Sequence, residues 1–125
     1  MALSNIEQLI VDTLRTVART KDVIAYGELN RRVPLNLNLS LRTDRNRLSA
    51  WVGGILRHEV GQGRVALPAL VVFKDSSDPG PGFFTVVDDL GLRLPNEDNA
   101  AVHLRLLRDV HAYYTHQVSS KPSSS

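Results

Sequence analysis

Arg42, Arg45, Asn46 and Arg47 crowd into the head of RTDRNRLSAWVGGILR, residues 42–57. A guanidinium can pair both major-groove acceptors of guanine, an asparagine amide can pair with adenine, and arginine also holds phosphate. Arg31 and Arg32 precede the stretch and Arg57 closes it, and all three suit phosphate contacts. Residues 15–64 carry ten bases (Arg15, Arg19, Lys21, Arg31, Arg32, Arg42, Arg45, Arg47, Arg57, Arg64) against four acids (Asp22, Glu28, Asp44, Glu59). That local net of +6 exceeds the +2 of the whole chain. Such a segment is either a solvated set of helix faces or the footprint of a polyanion.

The other polar groups assemble no reaction. Cysteine is absent, which excludes disulfides, thiolate metal sites and thiol nucleophiles. Asp88 and Asp89 are adjacent, and on a strand they face opposite ways rather than cooperating as acid and base. Asp75 and Asp78 lack the spaced oxygen ligands of a calcium loop. His103, His111 and His116 fall in or near one helix, but the last two are about 140° apart around its axis, unlike an HExxH zinc site. They read as solvated faces, or for His116 as a helix-end charge interaction. GQGR at 61–64 is a turn. The expectation is a non-catalytic chain with no cofactor and no metal.

The elements that must position these groups follow from spacing. Ser4 and Glu7 form a capping box, and Ile6, Leu9, Ile10, Leu14, Val17 and Ala18 make one helical stripe. Residues 23–26 are β-prone, and 27–32 start a short helix that Pro34 stops. The asparagines of PLNLNLSL read as turn closers. Thr43 or Ser40 caps the central helix, whose buried face is Leu48, Val52, Ile55 and Leu56 with Trp51 beside it; Gly53 and Gly54 imply close approach of another backbone. The helix ends at 61–63.

Residues 67–73 read as a buried strand with Pro68 near its start, and 83–87 as the returning strand of a hairpin whose tip carries Asp75 and Asp78. Asn96 caps a last helix, with Glu97 and Asp98 in its first turn and the stripe Val102, Leu106, Leu107, Val110, Tyr113 and Tyr114; it should pack on the first helix or on another copy. At 42% hydrophobic and 22% charged, the chain suits one domain over 1–117, with 118–125 a disordered tail. No apolar run reaches the roughly 20 residues of a membrane span, and MALSNIEQ lacks secretory-signal features, so the expected location is cytoplasmic.

Helix, strand, short helix, longer helix, hairpin, helix is the order of a winged helix-turn-helix. The expected fold class is therefore mainly α with a small antiparallel β-hairpin. Ile24, Tyr26 and Leu29, then VGGILR at 52–57, then Leu67 and Pro68 before valines, resemble the DNA-binding domain of alkylguanine-DNA alkyltransferases and alkyltransferase-like proteins. The resemblance spans roughly 23–72. It implies that Tyr26 stands where the family's tyrosine helps rotate a nucleotide out of the duplex. The family's arginine that fills the vacated stack is replaced by Ala50, so Arg45 or Arg47 would substitute. Pro68, Ala69, Leu70 and Val71 stand in place of the reactive proline, cysteine, histidine, arginine motif, so no alkyl acceptor exists. The chain is also similar to small bacterial and phage proteins sharing YGEL, LPALVV and PG-GFF.

The expected partner is DNA, in duplex form, held by Tyr26, Arg31, Arg32, Arg42, Arg45, Asn46, Arg47 and Arg57, with no membrane and no small-molecule substrate. The rival reading is a protein-interaction module, a homodimer or accessory subunit using the final helix, with Tyr113 and Tyr114, and the hairpin.

Overall fold

The computed structural model describes residues 3–33, 35–74 and 78–123, with 116–123 as backbone only. The tail expected over 118–125 and the side chain of His116 lie outside the described side chains, and Pro34 and Asp75 lie outside the described residues. Helix α1 spans Asn5–Arg19. Its capping box is formed: Ser4 Oγ accepts from the Glu7 amide at 3.2 Å, and Glu7 Oε1 accepts from the Ser4 amide at 3.0 Å. The buried stripe is Ile10, Val11, Leu14, Val17 and Ala18, whereas Ile6 and Leu9, expected in the core, are exposed.

Strand β1 (Ile24–Ala25) leads directly into α2 (Tyr26–Arg32), which buries Leu29. Residues 35–41 then alternate as their sequence does, with Leu35, Leu37 and Leu39 packed on the core and Asn36 and Asn38 outward. Their asparagines do close turns: Asn36 takes φ 58°, and Asn38 Oδ1 accepts from the Ser40 amide at 3.1 Å. Asn30 clamps the loop from α2, donating to the Leu37 carbonyl at 2.8 Å and accepting from its amide at 3.2 Å.

Helix α3 runs Arg42–Gly61, about 30 Å at 1.5 Å per residue. Leu48, Val52, Ile55 and Leu56 are buried as the spacing requires, joined by Glu59. The cap is neither Thr43 nor Ser40 but Leu41, with no side-chain hydrogen bond. The helix passes unbroken through both glycines, and side chains, not a backbone, press on them: Cβ atoms there would stand 3.4 Å from Val86 Cγ2 at Gly53 and 2.6 Å from Glu7 Oε2 at Gly54. Gly63, at φ 75°, ends α3: its amide reaches the Val60 carbonyl and the Arg64 amide reaches that of Glu59 at 2.9 Å, the paired bonds of a Schellman stop.

The expected strand over 67–73 is mostly a 3₁₀ turn, Leu67–Leu70, followed by a two-residue strand β2, Val71–Val72. Proline at the turn's start has no amide for a ladder and a φ suited to a helical turn. The antiparallel hairpin is absent from the described residues. β2 pairs with β1 in parallel, Ile24 opposite Val71 and Ala25 opposite Val72. The segment expected to return as a strand is helix α4, Pro81–Asp89. Gly80 and Pro81 form a helix-start pair, and Phe83, Phe84, Val86 and Val87 recur at helical spacing and are all buried.

Helix α5 covers Asn99–Ser123. Its cap is Asp98, whose Oδ1 accepts from the Ala101 amide at 2.8 Å, and not Asn96, which makes a left-handed turn at φ 70°. Val102, Leu106, Val110 and Tyr114 are buried, and α5 packs along α1. The chain is thus mainly helical with a two-stranded parallel sheet. Its 3₁₀ turn is central, touching α1, α3 and α5 at once. No described helix is long and apolar enough to cross a membrane.

Candidate nucleic-acid interface

The first six residues of α3, 42–47, stand clear of the core. Arg42, Thr43, Arg45, Asn46 and Arg47 are exposed because core contact begins only at Leu48, and Ser49 and Ala50 are exposed on the flank beyond it. At 100° per residue Arg42, Asn46 and Ser49 fall within an arc of about 60°, while Arg47 lies about 100° beyond Asn46. The head of the helix therefore presents two cationic flanks. Asp44 accepts from the Asn38 amide at 2.8 Å, which ties its charge to the loop beside the helix start.

The arginines singled out by sequence divide by what they touch. Arg31 pairs with Glu28 one turn earlier on α2. Arg57 pairs with Asp89 at 2.8 Å, tying α3 to the end of α4. Arg45 folds back, its Nη1 donating to the carbonyls of Leu39 at 3.0 Å and Ser40 at 3.1 Å. Among the described residues Arg32, Arg42 and Arg47 are exposed and make no ion pair or hydrogen bond. Those three are the free cations of the α2–α3 segment.

A cleft of about 410 Å³ opens beside this helix head. Tyr26 and Phe73 form its aromatic wall, ring centroids 4.8 Å apart, and Asn46, Ser49 and Lys74 bring polar groups to it. The Tyr26 hydroxyl donates to the Pro79 carbonyl at 2.8 Å. Burial, helped by the Asp78 carboxylate, pushes that phenol up to about 12, so it stays a neutral donor. Asp78 Oδ1 also accepts from the Gly80 amide at 2.6 Å and sets the entry to α4. Gly80 is required twice over: its φ is 90°, and a Cβ there would stand 2.7 Å from Phe73 Cε2. This arrangement can stack a flat ring on the wall and hydrogen-bond its edge, or an attached phosphate, from the polar groups.

Phe73, Lys74 and Ser49 were not apparent from sequence as parts of one site. Tyr26 lies far from Pro79 and Gly80 along the chain, and the β1–β2 pairing brings their segments together. The sole local signal was PGPG at 79–82.

The remaining polar candidates are tied into the fold. His103 Nε2 lies 2.9 Å from the Ala69 carbonyl, its ring edge-on to Phe83, and His111 Nε2 lies 2.9 Å from the Asp22 carbonyl; neither is simply solvated. Asp88 binds Arg93 and Asp89 binds Arg57, both from the end of α4 rather than a strand. Tyr114 is buried against Tyr113. No group of three His, Cys, Asp or Glu residues capable of holding a metal occurs among the described residues. Comparison with protein-family models, curated proteins and solved structures gives no match.

Proposed function

We propose that this is a small, non-catalytic DNA-binding protein of the cytoplasm that reads duplex DNA with the head of α3. The observation that carries the reading is the exposed start of α3, where Arg42 and Arg47 lack any described partner while Arg31 and Arg57 nearby are paired with acids. Free guanidinium groups flanking an exposed helix head are what phosphate contacts on either side of a groove require. Asn46, between them, is the base-reading candidate. Arg32 extends the contact along the backbone, and the cleft behind Tyr26 offers a stacking wall to any nucleotide leaving the helix. The element order α2, connection, α3 supports a helix-turn-helix presentation, with no β wing among the described residues.

Titration into labelled duplex and single-stranded DNA at two salt concentrations tests the proposal. Duplex binding should weaken steeply with salt, and Arg42→Ala with Arg47→Ala should reduce the logarithmic salt slope by about 2 while leaving the fold intact. Absence of binding to either form at low salt overturns it and turns attention to a protein partner.

A further inference from the structure

Phe73, 43% exposed, is the one aromatic among the described large apolar side chains that stand in solvent. Its ring is nonetheless fixed. Tyr26 backs it at 4.8 Å between centroids, the Phe73 amide donates to the Asp78 carbonyl at 2.8 Å, and Gly80 has no side chain to displace it. A single apolar side chain on a mixed surface needs no explanation. A flat ring held open in the wall of a concave cleft is a preformed stacking platform.

The described lining of that cleft carries two cations, Arg45 and Lys74, and no carboxylate. Lys74 makes no ion pair or hydrogen bond among the described residues, so its charge is free for a ligand. Asn46 and Ser49 bring an amide and a hydroxyl that are likewise without partners among the described residues. An amide offers a donor and an acceptor in one plane, which matches the edge of a nucleobase rather than a plain arene. The volume of about 410 Å³ suits one small ligand. We infer that the cleft binds a free nucleoside monophosphate, its base stacked on Phe73 and edge-bonded by Asn46, its phosphate held by Lys74. A nucleotide of a DNA strand offers the same chemistry, but within a duplex it must first be unstacked and unpaired, a cost the free ligand does not bear. The site does not depend on duplex binding by the head of α3.

The test titrates 2-aminopurine riboside 5′-monophosphate, whose emission falls on stacking, against the full chain. Emission should fall saturably, and excess adenosine monophosphate should restore it. The riboside without its phosphate, and the nucleotide with Lys74→Ala, should each bind about tenfold more weakly. Gly27 supplies a block: it lies in α2, lines the cleft, and a Cβ there would meet nothing within 4 Å. Gly27→Leu should therefore melt no lower than the wild type and abolish the quenching. Undiminished quenching with Gly27→Leu, or equal affinity for the riboside and its monophosphate, overturns the site. A wild type that leaves the free nucleotide unquenched overturns it too, and quenching of 2-aminopurine at an unpaired position in a strand would then assign the cleft to DNA. Saturable quenching by a protein that binds no duplex at low salt leaves this site standing and removes the DNA-binding reading.

Discussion

Arg45 illustrates what a residue type in a sequence can and cannot say. Its position beside Asn46 and Arg47 suits groove reading, yet its Nη1 closes the loop before α3 by bonding the Leu39 and Ser40 carbonyls. Those acceptors lie five and six residues away in a turn whose shape no local pattern specifies. Arg42 and Arg47, by contrast, are as free as the sequence suggests. Tyr26 was equally visible, but its hydroxyl partner is 53 residues distant, and Phe73, just past β2, packs on its ring. The two kinds of arginine should separate in a urea titration. Arg45→Ala loses two partly solvated hydrogen bonds and should cost about 1 kcal/mol, with faster amide exchange at Leu41. Arg42→Ala and Arg47→Ala should each stay within about 0.5 kcal/mol of wild type. Equal stability of all three, with unchanged exchange at Leu41, would remove the latch.

Elements with a chemical start and stop were legible in the sequence. The box of Ser4 and Glu7 opens α1, and glycine over 61–63 closes α3, because capping is satisfied by residues three to five positions apart. α4 was not legible, since Phe, Thr and Val favour strands and only Gly80–Pro81 and the spacing of four buried side chains oppose that preference. The paired glycines of α3 connect two such elements and can be separated by substitution. At Gly53 an added methyl meets Val86 Cγ2 at 3.4 Å, close to ordinary contact, so Gly53→Ala should stabilise by roughly 0.5–1 kcal/mol through helix propensity. At Gly54 the methyl strikes Glu7 Oε2, a flexible carboxylate whose other oxygen serves the cap of α1, so the gain in α3 is offset by loss in the capping box. Gly54→Ala should therefore be nearly neutral alone and stabilising by about 1 kcal/mol in a Glu7→Ala background. Thermal melts of the four proteins in that cycle check it; additive changes would show that Glu7 and Gly54 are uncoupled.

At the scale of the molecule, three helices close on the buried turn Leu67–Leu70, and arginine–carboxylate pairs bind the periphery. Glu59, fully buried, is met by both Nε and Nη2 of Arg64 just past the end of α3, so its charge is compensated where the helix stops. The link from α4 to α5 is organised by Glu97. That carboxylate accepts from Arg105 Nε at 2.8 Å and Nη2 at 2.9 Å and from the Leu94 amide at 2.9 Å, while Arg105 also donates to the Leu92 carbonyl at 2.6 Å. The Arg105 hydrogen bonds, then that of the Leu94 amide, hold Glu97 down from an ordinary 4.5 to about 2, and Arg93 lowers Asp88 in the same connection. For a carboxylate lowered by folding, the stabilisation is full above its unfolded value and disappears as pH falls through its folded one. The wild-type melting temperature should accordingly drop between about pH 5 and pH 2. Glu97→Gln should melt below wild type at pH 7, descend less steeply with acid, and approach the wild type near pH 2. A gap between the two that keeps its size from pH 7 to pH 2 would mean that Glu97 contributes by shape alone and that its charge does not hold α5 to the end of α4.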